Sequence, residues 1–217
     1  ERENNDLIIS VEKLEEQLIY IQKNFETVFF NELEQKKNVK NKIILTFDDG
    51  YYNNYQYLLP LLKKYHLKAT ICIPTGLIEK DLNNKPGMYM NFEEIRSLPS
   101  DLVEIALHSH AHNNYSQMTL EDAENDVIQN IKTLKRENIP FTNILVYPYG
   151  KFPKKGVQKK EFFKMLEKHN ISAALRIGND IASFPWKQKF EVKRINICGS
   201  DSFSKFINKL RFGKVKL

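Results

Sequence analysis

Short apolar runs alternate with stretches that carry apolar residues at helical spacing along most of the chain. The runs predict buried strands at 42–47, 68–74, 103–107, 144–147, 173–176 and 190–197. The intervening stretches predict helices at 12–30, 53–65, 119–138 and 160–169, and a short helix that begins at Asn91. This alternation indicates βαβ units and a mostly parallel sheet, which is either an open doubly wound sheet or a barrel.

Local signals refine the limits of these elements. Ser10 and Thr119 precede the first and the longest helix as expected N-cap residues. In the helix at 53–65, the side chains expected to face the core are Tyr57, Leu58, Leu61 and Leu62. We expect a single domain, in which 1–41 holds a helix and a connector, 42–200 the core, and 201–217 a basic C-terminal segment.

Polar residues follow three of the predicted strands at the points where these strands end. Asp48 and Asp49 follow the first strand, the segment 108–112 follows the third, and the segment 147–150 follows the fourth. In parallel α/β proteins, functional side chains gather at the carboxyl ends of the strands. These three segments are therefore expected to share one rim of the sheet.

The adjacent carboxylates of Asp48 and Asp49 repel each other at the end of a buried run. A cation, hydrogen-bond donors or water must compensate this repulsion. One carboxylate could bind a metal ion while the other acts as a general base, and Gly50 suits the tight turn that such a site needs. Taken alone, an Asp-Asp-Gly tripeptide is also a common turn.

Three of the five histidines fall within the five residues 108–112. His108 and His112, four residues apart, can join one carboxylate in a three-ligand site with open positions, as in hydrolytic zinc sites. His110 lies between them and either supports the ligands, contacts a substrate or faces solvent.

The sequence T-F-D-D-G at 46–50, followed by H-S-x-x-H at 108–112, resembles the NodB-homology polysaccharide deacetylases, which are carbohydrate esterase family four. The resemblance extends over about 43–150. It implies a distorted (β/α) barrel with mostly parallel strands. It also implies Asp48 as the general base and Asp49, His108 and His112 as ligands of one divalent ion, with zinc favoured and cobalt, nickel or manganese as alternatives.

The segment Y-P-Y-G at 147–150 resembles the third motif of this family, R-x-P-Y. The resemblance implies that the backbone amide of Tyr149 stabilises the oxyanion of the reaction. Val146 occupies the position of the motif arginine, which orients the base in the family. Arg176 and Arg194, from later predicted strands, are the candidates to replace it.

Four residues beside the motifs are expected to contact substrate: Tyr51, Tyr147, Pro148 and His110. The Asp-Trp and Leu-His motifs of the family are not evident in this sequence, so the general acid is not identified. His169 is the one later histidine, and its place in a predicted helix indicates a surface residue.

The function implied by the resemblance is removal of an acetyl group from an N-acetylated sugar of a bacterial glycan or a glycan precursor, which includes lipid-linked sugars. Two alternatives stay open. One is a weakly active or inactive module that binds metal and glycan, and the other is a de-O-acetylase or deformylase that uses the same site.

Composition adds limits on the partners. The chain is 41% hydrophobic and 28% charged, as is ordinary for a globular protein, and its net charge of +6 favours anionic partners. The basic residues are scattered and mostly lysine, which argues against nucleic-acid binding. The basic stretch 205–216 fits peripheral contact with a membrane, or a helix that docks its apolar side, Phe206, Leu210 and Phe212, on the core.

Two further features bear on the compartment. Cys72 and Cys198 are expected to lie in strands as inert core residues, because their spacing fits neither a metal knuckle nor a disulfide framework. The first residues do not resemble a signal peptide. This favours a cytoplasmic or cytoplasmic-membrane-associated protein, with the cell envelope as the alternative if a signal was removed.

Overall fold

Six parallel strands form one curved sheet in the computed structural model, which describes residues 6–33, 35, 39–84 and 87–213. A separate two-stranded parallel sheet precedes it along the chain. The strands are β1 Glu26–Thr27 and β2 Lys42–Ile43 in the small sheet, then β3 Thr46–Phe47, β4 Ala69–Ile73, β5 Val103–Leu107, β6 Thr142–Val146, β7 Ala173–Ile177 and β8 Val192–Arg194 in the large one.

The order of the strands in the large sheet is the order of the strands in the chain, from β3 to β8. In a doubly wound sheet the order of the strands reverses at a switch point, whereas in a barrel each new strand lies beside the previous one. The sheet curls into a half-barrel with helices around it. The predicted fold class, a distorted (β/α) barrel with mostly parallel strands, is confirmed.

Eight α-helices lie in the described part of the chain: α1 Val11–Asn24, α2 Phe30–Leu33, α3 Leu59–Tyr65, α4 Thr75–Asp81, α5 Phe92–Arg96, α6 Leu120–Arg136, α7 Gly156–Lys168 and α8 Phe203–Phe212. A π-helical segment, Asn54–Leu58, leads into α3. Ser10 and Thr119 cap α1 and α6 as predicted, because their side chains accept hydrogen bonds from the amides of Lys13 and Asp122.

Two predicted elements are shorter or more divided than the pattern indicated. The first helix ends at Asn24, since Phe25 is extended and the amide of Glu26 then donates to the carbonyl of Asn41 beside β2. The apolar run 42–47 is divided between the two sheets, so it forms two short strands instead of one. In both places, pairing with a distant segment overrides the local pattern.

Three side chains differ from their predicted surroundings. Tyr57 is 43% exposed although the other three predicted residues of that helix are buried, and Phe212 at the end of α8 is 72% exposed. Cys198 lies in a loop after β8 instead of a strand, and both cysteines are free thiols. Phe212 lies in the last turn of α8, which extends past the surface the helix packs on. Tyr57 lies in the π-helical segment, whose wider turn shifts side chains from the positions that α-helical spacing predicts.

Successive residues of the central strands pack on opposite faces of the sheet. On β4, Ile71 and Ile73 join the larger core beneath the helices, whereas Cys72 joins the core inside the barrel. On β6, Leu145 faces the helices and Ile144 faces inward. Because both faces are covered, the strands read as continuous apolar runs instead of alternating ones.

The basic C-terminal stretch is partly neutralised by the fold. Lys205 and Lys209 of α8 both form ion pairs with Asp201, which is fully buried. Lys214 and Lys216 of the same predicted stretch lie outside the described residues. No helix among the described residues is long and apolar enough to cross a membrane.

Candidate metal centre and active site

The turn after β3 sends two neighbouring carboxylates in different directions. Asp49 has a left-handed backbone with φ 69°, and Gly50 follows it with φ 62°. A side chain at Gly50 would be strained at this φ and would place its Cβ 2.8 Å from Cδ1 of the buried Ile73, so glycine suits this turn. The strained turn directs Asp48 towards Arg194 and Asp49 towards the histidines of the loop after β5.

Asp49, His108 and His112 bring three potential ligand atoms together. The Oδ1 atom of Asp49 lies 3.3 Å from Nε2 of His108 and 3.1 Å from Nε2 of His112. The two Nε2 atoms lie 3.2 Å apart. The side chain of His108 is 2% exposed and that of His112 is 15% exposed, so the site opens to solvent on one side only.

These three atoms fit a divalent cation. Ligand atoms about 2.0–2.1 Å from a tetrahedral zinc ion lie about 3.3 Å from one another, close to the measured separations. Among the described residues, Asp49 Oδ1 is buried without a hydrogen bond. Such a buried acceptor is costly unless a cation compensates it. The predicted ligand set is thus a group that could hold a metal ion.

The pKa values of Asp49 and His108 are shifted by the charged groups that lie close to them. Burial raises the pKa of Asp49, but the two neighbouring histidines lower it further, so it lies well below its usual range. Burial lowers the pKa of His108, while Asp48 and Asp49 outweigh that effect and raise it. Nδ1 of His108 lies 2.8 Å from the carbonyl oxygen of Val146 and donates to it, which directs the Nε2 lone pair towards Asp49.

The loop that carries both histidines is held by Asp126 of α6. This carboxylate is 6% exposed and accepts hydrogen bonds from the amides of His110, at 2.6 Å, and Ala111, at 3.2 Å. Burial raises the pKa of Asp126, although these two amides lower it in part. Asp126 lies on the helix after the motif, and no pattern in the sequence marks it as a functional residue.

Ser109 and His110 complete the support of the loop. The Ser109 hydroxyl accepts a hydrogen bond from the amide of His112 at 2.8 Å. The ring of His110 turns away from the triad, and its Nδ1 lies 3.0 Å from the hydroxyl of Thr75 at the start of α4. The structure thus places His110 behind the ligand loop, where it packs between α4 and α6, and not beside the metal ligands.

Arg194 at the end of β8 holds Asp48 with two hydrogen bonds. Nη1 lies 2.7 Å from Oδ1 and Nη2 lies 2.8 Å from Oδ2, the bidentate arrangement that fixes a carboxylate in orientation. Burial raises the pKa of Asp48, but the charge and hydrogen bonds of Arg194 outweigh it and lower the pKa from 3.8 to about 2. Arg176 lies elsewhere, since its Nη1 donates to the carbonyl of Ile177.

The turn after β6 brings Tyr149 to the candidate metal ligands. Tyr149 has a left-handed backbone with φ 58°, and its ring lies 4.9 Å from the ring of His112 between centroids. Tyr147 does not reach the site: it is fully buried, stacks on Phe152 and donates its hydroxyl to the carbonyl of Phe190. The expectation that Tyr147 contacts substrate is therefore wrong. Pro148 is buried within the turn.

Known proteins resemble this chain in sequence. The family model for polysaccharide deacetylase matches residues 35–166, which is more than half of the chain. The chain belongs to the polysaccharide deacetylase family. The curated relative YxkH of Bacillus subtilis (strain 168) is 27% identical over 128 residues, which are 59% of this chain and 44% of that protein. The match therefore spans less than half the length of YxkH.

Two solved structures of deacetylases have a similar fold. The deacetylase PplD of Streptococcus pyogenes, in complex with acetate, has a TM-score of 0.81 at 19% identity, over 95% of this chain and 89% of PplD. A de-N-acetylase of Aggregatibacter actinomycetemcomitans has a TM-score of 0.80 at 18% identity, over 96% of this chain and 92% of that one. At this level of identity the likeness establishes the fold alone.

His169, the one later histidine, lies at the end of α7. Its Nε2 lies 2.6 Å from Oε1 of Glu124, so this histidine links the end of α7 to the start of α6. It lies outside the segments that form the rim and has a structural partner of its own.

Proposed function

We propose that this protein is a metal-dependent hydrolase that removes an acetyl group from an N-acetylated sugar of a bacterial glycan or glycan precursor. One observation carries the proposal. The strained turn at Asp49 separates two adjacent carboxylates, so that one faces a pair of histidines while the other is held by an arginine at the same rim. This arrangement provides a cation site beside a fixed proton acceptor.

In this proposal, Asp49, His108 and His112 hold the ion. Two imidazole nitrogens and one carboxylate oxygen suit zinc, with cobalt, nickel or manganese as alternatives. A bound divalent ion supplies Lewis acidity, which polarises a carbonyl and makes water more acidic. Nδ1 of His108 is engaged by the carbonyl of Val146, which keeps the other ring nitrogen available as a ligand.

Asp48 is the proposed general base, oriented by Arg194. Because the pKa of Asp48 is about 2, its carboxylate is ionised at every physiological pH and can accept a proton from the attacking water. The low pKa reduces the driving force for proton transfer. The bidentate contact compensates by fixing the acceptor oxygens in position.

Tyr149 and Tyr51 are the proposed contacts with substrate. The backbone amide of Tyr149 is proposed to donate to the oxyanion that forms when water attacks the acetyl carbonyl. The turn is closed by the amides of Gly150 and Lys151, which donate to Tyr147 and Pro148. Tyr51 follows the carboxylate pair directly and is 37% exposed.

The test is release of acetate from N-acetylglucosamine oligosaccharides by protein loaded with zinc, cobalt or nickel. We expect the wild type to release acetate and Asp48→Asn to lose at least about 100-fold in rate, the usual contribution of a general base. Metal binding, measured in the same samples, should be retained in Asp48→Asn. Wild-type protein that binds metal and oligosaccharide without releasing acetate would instead support a binding module.

Substrate profiling separates the remaining alternatives. Preference for O-acetylated or N-formylated sugars over N-acetylated ones would indicate a de-O-acetylase or a deformylase at the same site. Lipid-linked acetamido sugars should be included in the panel, since the same chemistry applies to a precursor.

A further inference from the structure

Two tyrosine rings form a stack beside the candidate metal ligands. The rings of Tyr51 and Tyr89 lie 5.2 Å apart between centroids with an interplanar angle of 14°. Tyr51 lies two residues after Asp49 in the chain. The stack thus lies beside the turn that carries this candidate ligand.

The backbone keeps this stack in place. The amide of Met90 donates to the carbonyl of Gly50 at 2.9 Å, and the amide of Tyr52 donates to the carbonyl of Met88 at 3.0 Å. Tyr51 and Tyr89 face each other in the antiparallel bridge between these two bonds. The amide of Tyr89 also donates to Oδ2 of Asp81 at 2.9 Å, which ties the segment to the end of α4.

Aromatic side chains therefore lie on two sides of the triad. Tyr149, which is 62% exposed, packs its ring on His112, while the Tyr51–Tyr89 stack lies on the side of Asp49. Aromatic rings therefore lie near both His112 and Asp49 of the candidate cation site.

Space for a further group opens next to Tyr89. A cavity of about 280 Å³ is lined by Tyr52 and Tyr89, by apolar side chains and by polar ones. The apolar side chains are Ile78, Leu82 and Met90, and the polar ones include Asp81, Asn84 and Glu94. Aromatic faces combined with a few amides and carboxylates suit sugars, which have an apolar C–H face and hydroxyl groups around the edge of the ring. A small amide without a ring has no surface to pack on such a wall.

We propose that Tyr89 is a specificity-determining residue, which with Tyr51 forms a rigid wall against which the acetylated sugar ring of a glycan packs. The inference rests on the proposed function and assigns to Tyr89 the preference for acetyl groups carried by a sugar ring over acetyl groups without a ring. Tyr89 acts through the flat face of its ring, and the backbone ladder with Gly50 and Tyr52 fixes that face in orientation.

The test measures binding without turnover. Zinc-loaded Asp48→Asn protein is titrated calorimetrically with an N-acetylglucosamine tetramer, with Tyr89 intact or replaced by Ala, Leu or Phe. Loss of one aromatic contact should weaken binding about 2- to 12-fold in Tyr89→Ala and Tyr89→Leu. Tyr89→Phe keeps the ring and should bind within about twofold of the parent. Tyr57→Ala, an exposed tyrosine on another face, is the matched control and should change nothing.

Kinetics of the otherwise wild-type enzyme give the second readout. Tyr89→Ala should raise KM for the tetramer by the same factor, and the ratio of kcat/KM for the tetramer to kcat/KM for methyl acetate, which has no ring, should fall by that factor. Thermal unfolding establishes that each variant is folded, and Tyr89→Leu replaces Tyr89→Ala if the smaller side chain destabilises the loop.

Three results would overturn the inference. These are equal affinity in Tyr89→Ala, Tyr89→Leu and the parent, equal losses in Tyr89→Phe and Tyr89→Ala, and failure of the tetramer to bind the parent. Failure of the proposed function has a different signature. The wild type would then release no acetate from any substrate. Tyr89→Ala would still bind the tetramer more weakly than the parent, which would support the role of Tyr89 in sugar binding.

Discussion

The contact between Arg194 and Asp48 provides the sharpest prediction. Replacing Arg194 by methionine keeps the volume of the side chain and removes both hydrogen bonds and the charge. Of the factors that remain, burial is the largest and raises the pKa of Asp48, as does the neighbouring Asp49, whereas the charge of His108 lowers it by less. We therefore expect the pKa of Asp48 in Arg194→Met to rise from about 2 to above 3.8.

The magnitude follows from this change in pKa. The present pKa of about 2 lies about 1.8 below the ordinary value of 3.8, and each pKa unit corresponds to about 1.36 kcal/mol. This gives roughly 2.4 kcal/mol for the stabilisation of the carboxylate in the folded protein. The Asp48 side chain is 32% exposed, so solvent screening reduces the figure to about 1–2 kcal/mol.

Two assays report this change. Urea unfolding of metal-free protein should show Arg194→Met destabilised by about 1–2 kcal/mol at pH 7. The pKa of Asp48 is depressed in the folded wild type, so its stabilising effect is complete above about pH 4 and is lost as the pH falls towards 2. The difference in free energy of unfolding between the wild type and Arg194→Met should therefore become smaller below pH 4. The acidic limb of the pH profile of kcat/KM should move to higher pH in Arg194→Met.

Arg176→Met is the matched control, since this arginine contacts the carbonyl of Ile177 instead of Asp48. It should leave the acidic limb in place and cost less than about 0.5 kcal/mol. The reasoning would be refuted if Arg194→Met kept the wild-type acidic limb, or if its destabilisation were the same at pH 7 and pH 3.

Three further predictions concern the turn, the loop and the ion. Gly50→Ala should lower the free energy of unfolding in urea by about 2–4 kcal/mol. The control Gly156→Ala should lower it by about 1 kcal/mol, because Gly156 has a similar φ of 66° but open space around its Cβ. Equal losses in the two variants would show that the close contact at Gly50 is unimportant. Asp126→Asn should weaken zinc binding about 10- to 100-fold in a competition titration with a chelator. One amide oxygen cannot accept the hydrogen bonds that both carboxylate oxygens accept from the amides of His110 and Ala111. Unchanged affinity for zinc would show that Asp126 does not position the histidine loop. Zinc at about 1,000 times its Kd should stabilise the wild type by ~4 kcal/mol in thermal unfolding. It should have little effect on His112→Ala, which lacks one of the three candidate ligands. An equal shift in both proteins would show that zinc binds elsewhere.

The candidate ligands could be identified from sequence because they lie in two short segments. Asp49 follows one strand, His108 and His112 follow another, and parallel strands bring both ends to one rim. Residue type and local spacing were sufficient there. The conformation that makes the site work, a left-handed backbone at Asp49 and His112, has no such signal, because non-glycine residues adopt it only where the surrounding structure holds them.

Tyr147 shows how far local reasoning reaches. It adjoins the motif in sequence, yet its amide donates to the carbonyl of Leu175 and continues the pairing of β6 with β7. Successive side chains of a strand alternate between faces, so Tyr147 joins the core beneath the helices while Val146 points into the barrel. Proximity to a motif therefore does not imply proximity to the site.

The sequence by itself determined the fold class, through strands and helices that alternate with distinct periods, and the ligand types, through motifs that lie within a few residues. The tertiary structure alone decided that Arg194 meets Asp48 across 146 residues, that Asp126 holds the histidine loop and that Tyr89 stacks on Tyr51. Local patterns reflect the conformational preferences of neighbouring residues. Contacts between distant residues depend instead on strand order and on the curvature of the sheet, which arise only when the whole chain packs.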